Sequence, residues 1–116
     1  MISKSEVIIG NELTSAGIEY AYEQPFIGKD KTRRYPDFTI EDADTGVTWF
    51  WEHLGMLGDA EYERKWKLKL GWYAENGIKL AEEGGGPNGT LVTTTELDGI
   101  NHSQIAQHIK KIKSGG

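Results

Sequence analysis

One segment of this chain has few ways to fold: two short apolar runs, Tyr35-Pro36-Asp37-Phe38-Thr39-Ile40 and Trp49-Phe50-Trp51-Glu52-His53, joined by Glu41-Asp42-Ala43-Asp44-Thr45-Gly46. Aromatic and β-branched residues suit strands, and the polar connection ending in glycine suits a turn. Together they predict an antiparallel hairpin that closes near Asp44-Thr45-Gly46. A register that sets residue 37 across from 52 also sets 40 across from 49. Side chains alternate along strands, so Phe38, Ile40, Trp49 and Trp51 then cover one face, while Asp37, Thr39, Thr48, Phe50 and Glu52 share the other. Two carboxylates side by side on a half-buried surface repel each other and lose hydration. A divalent cation relieves both costs, and oxygen ligands of this type suit magnesium.

The rest of the chain reads as elements around this hairpin. Ser5 is expected to cap a helix running to about Ala16, with Gly17 ending it. Ile18 to Phe26 reads as a strand broken by Pro25 and Gly28. Asp59 is placed as the N-cap of a helix over 60–76 that stops at Gly77. Ile78-Lys79-Leu80 is a short strand, the segment 82–89 a glycine-rich loop, Thr90 to Thr95 a β-branched strand, and Ser103 to Lys113 a basic terminal helix. The order αβββαββα, with early strands joined by short loops and a later strand reached by a helical crossover, predicts an α/β fold. Its central sheet is mixed and flanked by helices on both faces. A length of 116 residues fits one domain over 1–113, with 114–116 as a disordered tail.

Four Trp, five Tyr and three Phe supply enough apolar volume for a core, so the chain is not a disordered tail. The absence of cysteine removes disulfides, thiolate zinc sites and cysteine nucleophiles, and fits a reducing cytoplasm. No apolar run approaches membrane-spanning length, and Met-Ile-Ser-Lys-Ser-Glu is not a signal peptide. A net charge of −5 argues against a nonspecific nucleic-acid coat. Two basic segments nevertheless flank the acidic pair: Lys29-Asp30-Lys31-Thr32-Arg33-Arg34 before Asp37, and Arg64-Lys65-Trp66-Lys67-Leu68-Lys69 after Glu52. The three histidines are too scattered for a metal cluster, and the side chain of His53 points away from that of Glu52. Gly84-Gly85-Gly86 lacks the strand-to-helix setting and trailing lysine of a phosphate-binding loop.

Two charges sit where apolar residues belong. In the helix over 60–76, Lys69 falls within about 60° of Tyr62, Trp66 and Tyr73, in the middle of the apolar stripe. A buried ammonium is costly unless it meets an anion, so Lys69 is expected to reach a carboxylate; the alternative is a stem packed on Trp66 with its head in water. Because an apolar side chain suits that stripe, Lys69→Met is expected to be neutral or stabilising. Glu6 shares a helix face with Ile9 and Leu13, although an acid in the first turn also complements the helix dipole.

A Pro-Asp strand, a hairpin and a strand ending in Glu, within this element order, resembles the PD-(D/E)XK nuclease superfamily and its restriction-endonuclease-like fold. More narrowly, Arg34-Tyr35-Pro36-Asp37-Phe38, Trp51-Glu52-His53-Leu54-Gly55-Met56 and Lys69-Leu70-Gly71-Trp72-Tyr73 are similar to nuclease domains attached to superfamily 1 DNA helicases. The superfamily places a lysine two residues after the Glu, where this chain has Leu54. Variants in which that charge has moved to the neighbouring helix make Lys69 the expected substitute. The resemblance implies a magnesium- or manganese-dependent deoxyribonuclease, with a helicase domain or subunit as a partner. Asp37, Glu52 and the backbone carbonyl of His53 would hold the metal, and Glu6 would bind a second ion or orient water. Lys69 would act electrostatically, and Arg33, Arg34, Lys65 and Tyr73 would contact nucleic acid. A non-cleaving nucleic-acid or protein interaction domain on the same scaffold is the alternative, and a plain structural module with a solvated Lys69 a third.

Overall fold

A computed structural model of the chain describes residues 3–96 and 101–114. Helix α1 (Lys4–Ser15) begins two residues earlier than the sequence suggests. Ser3, not Ser5, is its N-cap and accepts the Glu6 N–H, while Ser5 lies buried in the first turn. The segment expected as one strand over 18–26 is divided. Only β1 (Ala21–Tyr22) joins the main sheet. Glu23 then takes a left-handed conformation (φ +51°), and with Pro25 it turns the chain so that β2 (Phe26–Ile27) pairs with β3 (Arg33–Arg34) in a separate two-stranded ribbon. The basic segment is therefore the tip and return strand of this ribbon, not a free loop.

The predicted hairpin follows as β4 (Phe38–Glu41) and β5 (Thr48–Leu54), antiparallel, with Ile40 opposite Trp49 and Phe38 opposite Trp51, which is the expected register. Asp59 caps α2 (Ala60–Glu75) through the Tyr62 N–H. The chain continues through β6 (Ile78–Leu80), a 3-10 turn at Ala81–Glu83, β7 (Gly89–Thr95) and α3 (His102–Lys113), which Asn101 caps. The five-stranded sheet runs β1-β4-β5-β7-β6. Its β1, β4 and β5 pair antiparallel, and β7 joins β5 and β6 in parallel, as the crossover through α2 requires.

Helices cover both faces of this mixed sheet. On one, Ile9 and Leu13 of α1 and Ile105 and Ile112 of α3 pack against Phe38, Ile40, Trp49, Trp51 and Val92. On the other, Trp72 and Tyr73 of α2 pack against Phe50, Ile78 and Leu91. Burying each large apolar side chain stabilises the fold by roughly 1.5–3 kcal/mol, so the two faces lock the hairpin register from both sides. The ribbon is fastened to the C-terminal end of α2. The Lys29 N–H donates to Asn76 Oδ1 at 2.8 Å. Gly28 lies so near Trp72 that a Cβ there would meet the indole at 2.6 Å. Ser114 is the C-cap of α3 and so not part of a tail, while residues 115 and 116 of that expectation lie outside the described residues. Among the described residues no helix is long and apolar enough to cross a membrane.

Candidate functional site

The hairpin register explains why Pro36 and Asp37 stand together. The Asp42 N–H donates to the Val47 carbonyl at 3.0 Å, which marks 42 and 47 as a hydrogen-bonded pair. Pairs 40/49, 38/51 and, one step beyond β4, 36/53 share that phase, because the two pair types alternate along an antiparallel ladder. Pro36 has no N–H, so the His53 carbonyl meets no ladder donor from it. The His53 N–H turns instead to Asp37 Oδ2 at 2.7 Å. Residues 37 and 52 fall in the other phase, in which opposed side chains approach most closely.

Around these two acids the fold leaves a cavity of about 400 Å³ lined by Glu6, Arg34, Asp37, Glu52, His53, Leu54, Tyr62, Lys65, Trp66 and Lys69. Glu52 is buried, and its Oε2 receives both the Lys69 ammonium at 2.5 Å and the Tyr73 hydroxyl at 2.6 Å. The lysine in the aromatic stripe thus meets a carboxylate and does not snorkel. The third acid, Glu6, accepts the Tyr22 hydroxyl through Oε2.

Crowding around the cavity perturbs Asp37. Burial, then the nearby charges of Glu52 and Glu6, push Asp37 up to about 7, against the pull of the His53 N–H and the Lys69 charge. Burial and Glu52 likewise hold the Tyr73 phenol far above its ordinary range, so it serves as a donor. One oxygen of each acid is tied up: Glu6 Oε2 by Tyr22, Asp37 Oδ2 by His53 and Glu52 Oε2 by Lys69 and Tyr73. Among the described residues no hydrogen bond claims the second oxygen of any of them. Nor do they form a closed cage, since no three His, Cys, Asp or Glu side chains among the described residues are grouped closely enough to hold a metal ion. The site offers two free carboxylate oxygens, from Asp37 and Glu52, beside a backbone carbonyl without a ladder donor. Magnesium suits such an open set, because it keeps several waters and takes few protein ligands.

The expected nucleic-acid contacts separate into three kinds. Arg34 lines the cavity, its guanidinium 5.1 Å from the Trp72 ring centroid and its Nε buried without a partner. Lys65 also borders the cavity, whereas Arg33 is exposed and lies outside it. Tyr73 requires correction as a nucleic-acid contact: it is fully buried, and its hydroxyl is spent on Glu52. Aromatic spacing along α2 identified its face but not its depth. Leu54, at the position of the superfamily lysine, brings no charge to the cavity it lines. The His53 side chain points to the opposite face, where Nδ1 meets Thr94 Oγ1 at 2.8 Å and Nε2 meets Glu96 Oε2 at 3.2 Å. Two contributors were not anticipated. Tyr22 has no local sequence signal. Glu96 has one, an acid closing a β-branched strand, as Glu52 nearly closes β5.

No protein-family model matches the chain. It is 31% identical over 120 aligned residues to an uncharacterized protein of Methanocaldococcus jannaschii, a match covering 96% of this chain and 10% of the relative. The chain therefore spans about a tenth of the length of the curated relative it matches.

Proposed function

We propose that this chain is a metal-dependent nuclease of the PD-(D/E)XK superfamily, with a restriction-endonuclease-like fold, that hydrolyses phosphodiester bonds in DNA. The observation that carries this reading is the convergence of Asp37, Glu52 and a charge-paired Lys69 on one cavity that also holds Arg34. Acids alone would suit many cations, but acids interleaved with cations suit a metal and a phosphate together.

Asp37, Glu52 and the His53 carbonyl would hold magnesium or manganese, which when bound activates water and neutralises charge on the scissile phosphate. Lys69, held at the cavity wall by Glu52, stabilises charge developing on the phosphoryl oxygens. Glu6, fixed by Tyr22, orients the attacking water. Arg34 and Lys65 contact neighbouring phosphates, giving affinity without sequence reading, and Arg33 adds long-range attraction. The much greater length of the relative is what a module within a larger protein would give, and a helicase domain or subunit is the proposed partner. The test is cleavage of labelled DNA by the purified chain in magnesium or manganese, lost in chelator and in Asp37→Asn.

A second reading has its own support. Lys69 and Tyr73 both occupy Glu52 Oε2, a saturated arrangement that a non-cleaving interaction domain could retain for stability. DNA binding without cleavage in either metal is the outcome that selects it.

A further inference from the structure

On the face of the sheet opposite the cavity, a line of polar side chains ties three elements together. Ser5 Oγ donates to Glu96 Oε1 at 2.6 Å, Glu96 Oε2 meets His53 Nε2 at 3.2 Å, and His53 Nδ1 meets Thr94 Oγ1 at 2.8 Å. Thr94 in turn accepts the indole N–H of Trp51 at 3.2 Å. Hydroxyl, imidazole and carboxylate follow here in the order of a nucleophile relay, but Thr94 is 1% exposed and its oxygen already serves two partners. No substrate reaches it.

The sequence neighbours of this line explain its place. Ser5 adjoins Glu6 and His53 adjoins Glu52, so two of the three cavity acids have their neighbours held by one carboxylate, Glu96. Helix α1 rests on the sheet through the non-directional contacts of Ile9 and Leu13, which beyond the Tyr22 hydroxyl on Glu6 set its rotation and height only loosely. Hydrogen bonds are directional and can fix both. We propose that Glu96, through Ser5 and His53, is a positioning residue: a strap that registers α1 on β5 and keeps Glu6 and the His53 amide in place beside Asp37. Only its consequence for metal binding rests on the nuclease reading.

The test uses the full chain with Ser5→Ala, Glu96→Ala and Glu96→Gln, and Ile105→Val as a core variant that lowers stability without touching the strap. Two quantities are read, the hydrogen-exchange rate of the His53 amide relative to global unfolding, and manganese affinity by calorimetry. In Ser5→Ala and Glu96→Ala the His53 amide should exchange about tenfold faster, the scale of one net hydrogen bond. Glu96→Gln retains an acceptor for Ser5 and a partner for the imidazole, and should return to within about threefold of wild type. Manganese affinity should fall about tenfold in both alanine variants and be unchanged in Ile105→Val, as expected for groups that orient ligands without touching the ion. Wild-type exchange at His53 in both alanine variants overturns the strap, as does equal acceleration in Ile105→Val. If the wild type binds no manganese, the metal reading fails, and exchange at His53 alone decides the strap.

Discussion

Replacing Lys69 with Met removes the only ammonium on Glu52 among the described residues, and the structure reverses the effect expected from sequence. As one member of an apolar stripe, Lys69 looked replaceable at no cost. Its Nζ lies 2.5 Å from Glu52 Oε2, with the Glu52 side chain 6% exposed and that of Lys69 25% exposed. Two unit charges near contact are worth about 4 kcal/mol at an effective dielectric of 20. Partial exposure of the lysine and the surviving Tyr73 hydrogen bond reduce the cost of stranding Glu52 to about 2–3 kcal/mol at pH 7. Urea unfolding resolves this easily in a domain of this size, and the melting temperature should fall by roughly 10 °C. Adding Glu52→Gln removes the stranded charge, so the double variant Lys69→Met/Glu52→Gln should recover at least half of the loss. A single Lys69→Met as stable as wild type, or a double variant no better than the single, would show that the pair carries no net energy.

Asp37 sets a pH dependence of the opposite sense to an ordinary salt-bridged carboxylate. Its folded value of about 7 lies above the reference of 3.8, so between these limits the native state binds more protons than the unfolded one and stability falls as pH rises. This group costs up to about 4 kcal/mol above pH 7, and Asp37→Asn should flatten the decline in urea unfolding between pH 5 and pH 8; parallel curves for the two proteins would refute the assignment. Calorimetric titration should show manganese binding that disappears in Asp37→Ala and raises the melting temperature of wild type, whereas equal binding by both would place the ion elsewhere. Arg34→Ala should weaken DNA binding more than Arg33→Ala, since only Arg34 borders the cavity, and the double variant should flatten the salt dependence. An unchanged salt slope in the double variant would show that neither arginine meets phosphate.

The hairpin was legible because its information is local: alternation, a turn sequence and two residues of matched phase fix Ile40 against Trp49 without reference to the rest of the chain. Lys69 was legible for a similar reason, since helical pitch alone places it among Tyr62, Trp66 and Tyr73. What pitch does not give is depth, and so Tyr73 was read as a nucleic-acid contact although it is sealed beneath Glu52. The split at Glu23 was hidden because a left-handed glutamate has no sequence signature, and two-residue strands carry no measurable alternation. Ser3 and Ser5 both offer a capping hydroxyl; Ser3 takes the role, while the Ser5 hydroxyl donates to Glu96, 91 residues away. The burial of Tyr73 against Glu52 and the use of the Ser5 hydroxyl both depend on partners far away in the chain.

Single-turnover cleavage of a labelled DNA, with wild type, Asp37→Asn and Lys69→Met compared at saturating magnesium or manganese, separates metal-dependent hydrolysis from simple binding. Metal-dependent hydrolysis at this cavity requires cleavage by wild type that stops in chelator and is abolished in Asp37→Asn. In folded Lys69→Met it should be slowed by about two orders of magnitude with manganese affinity retained, the loss of one electrostatic stabiliser. Wild-type protein that binds metal and DNA yet leaves the strand intact, or Lys69→Met that cleaves at the wild-type rate, would contradict it.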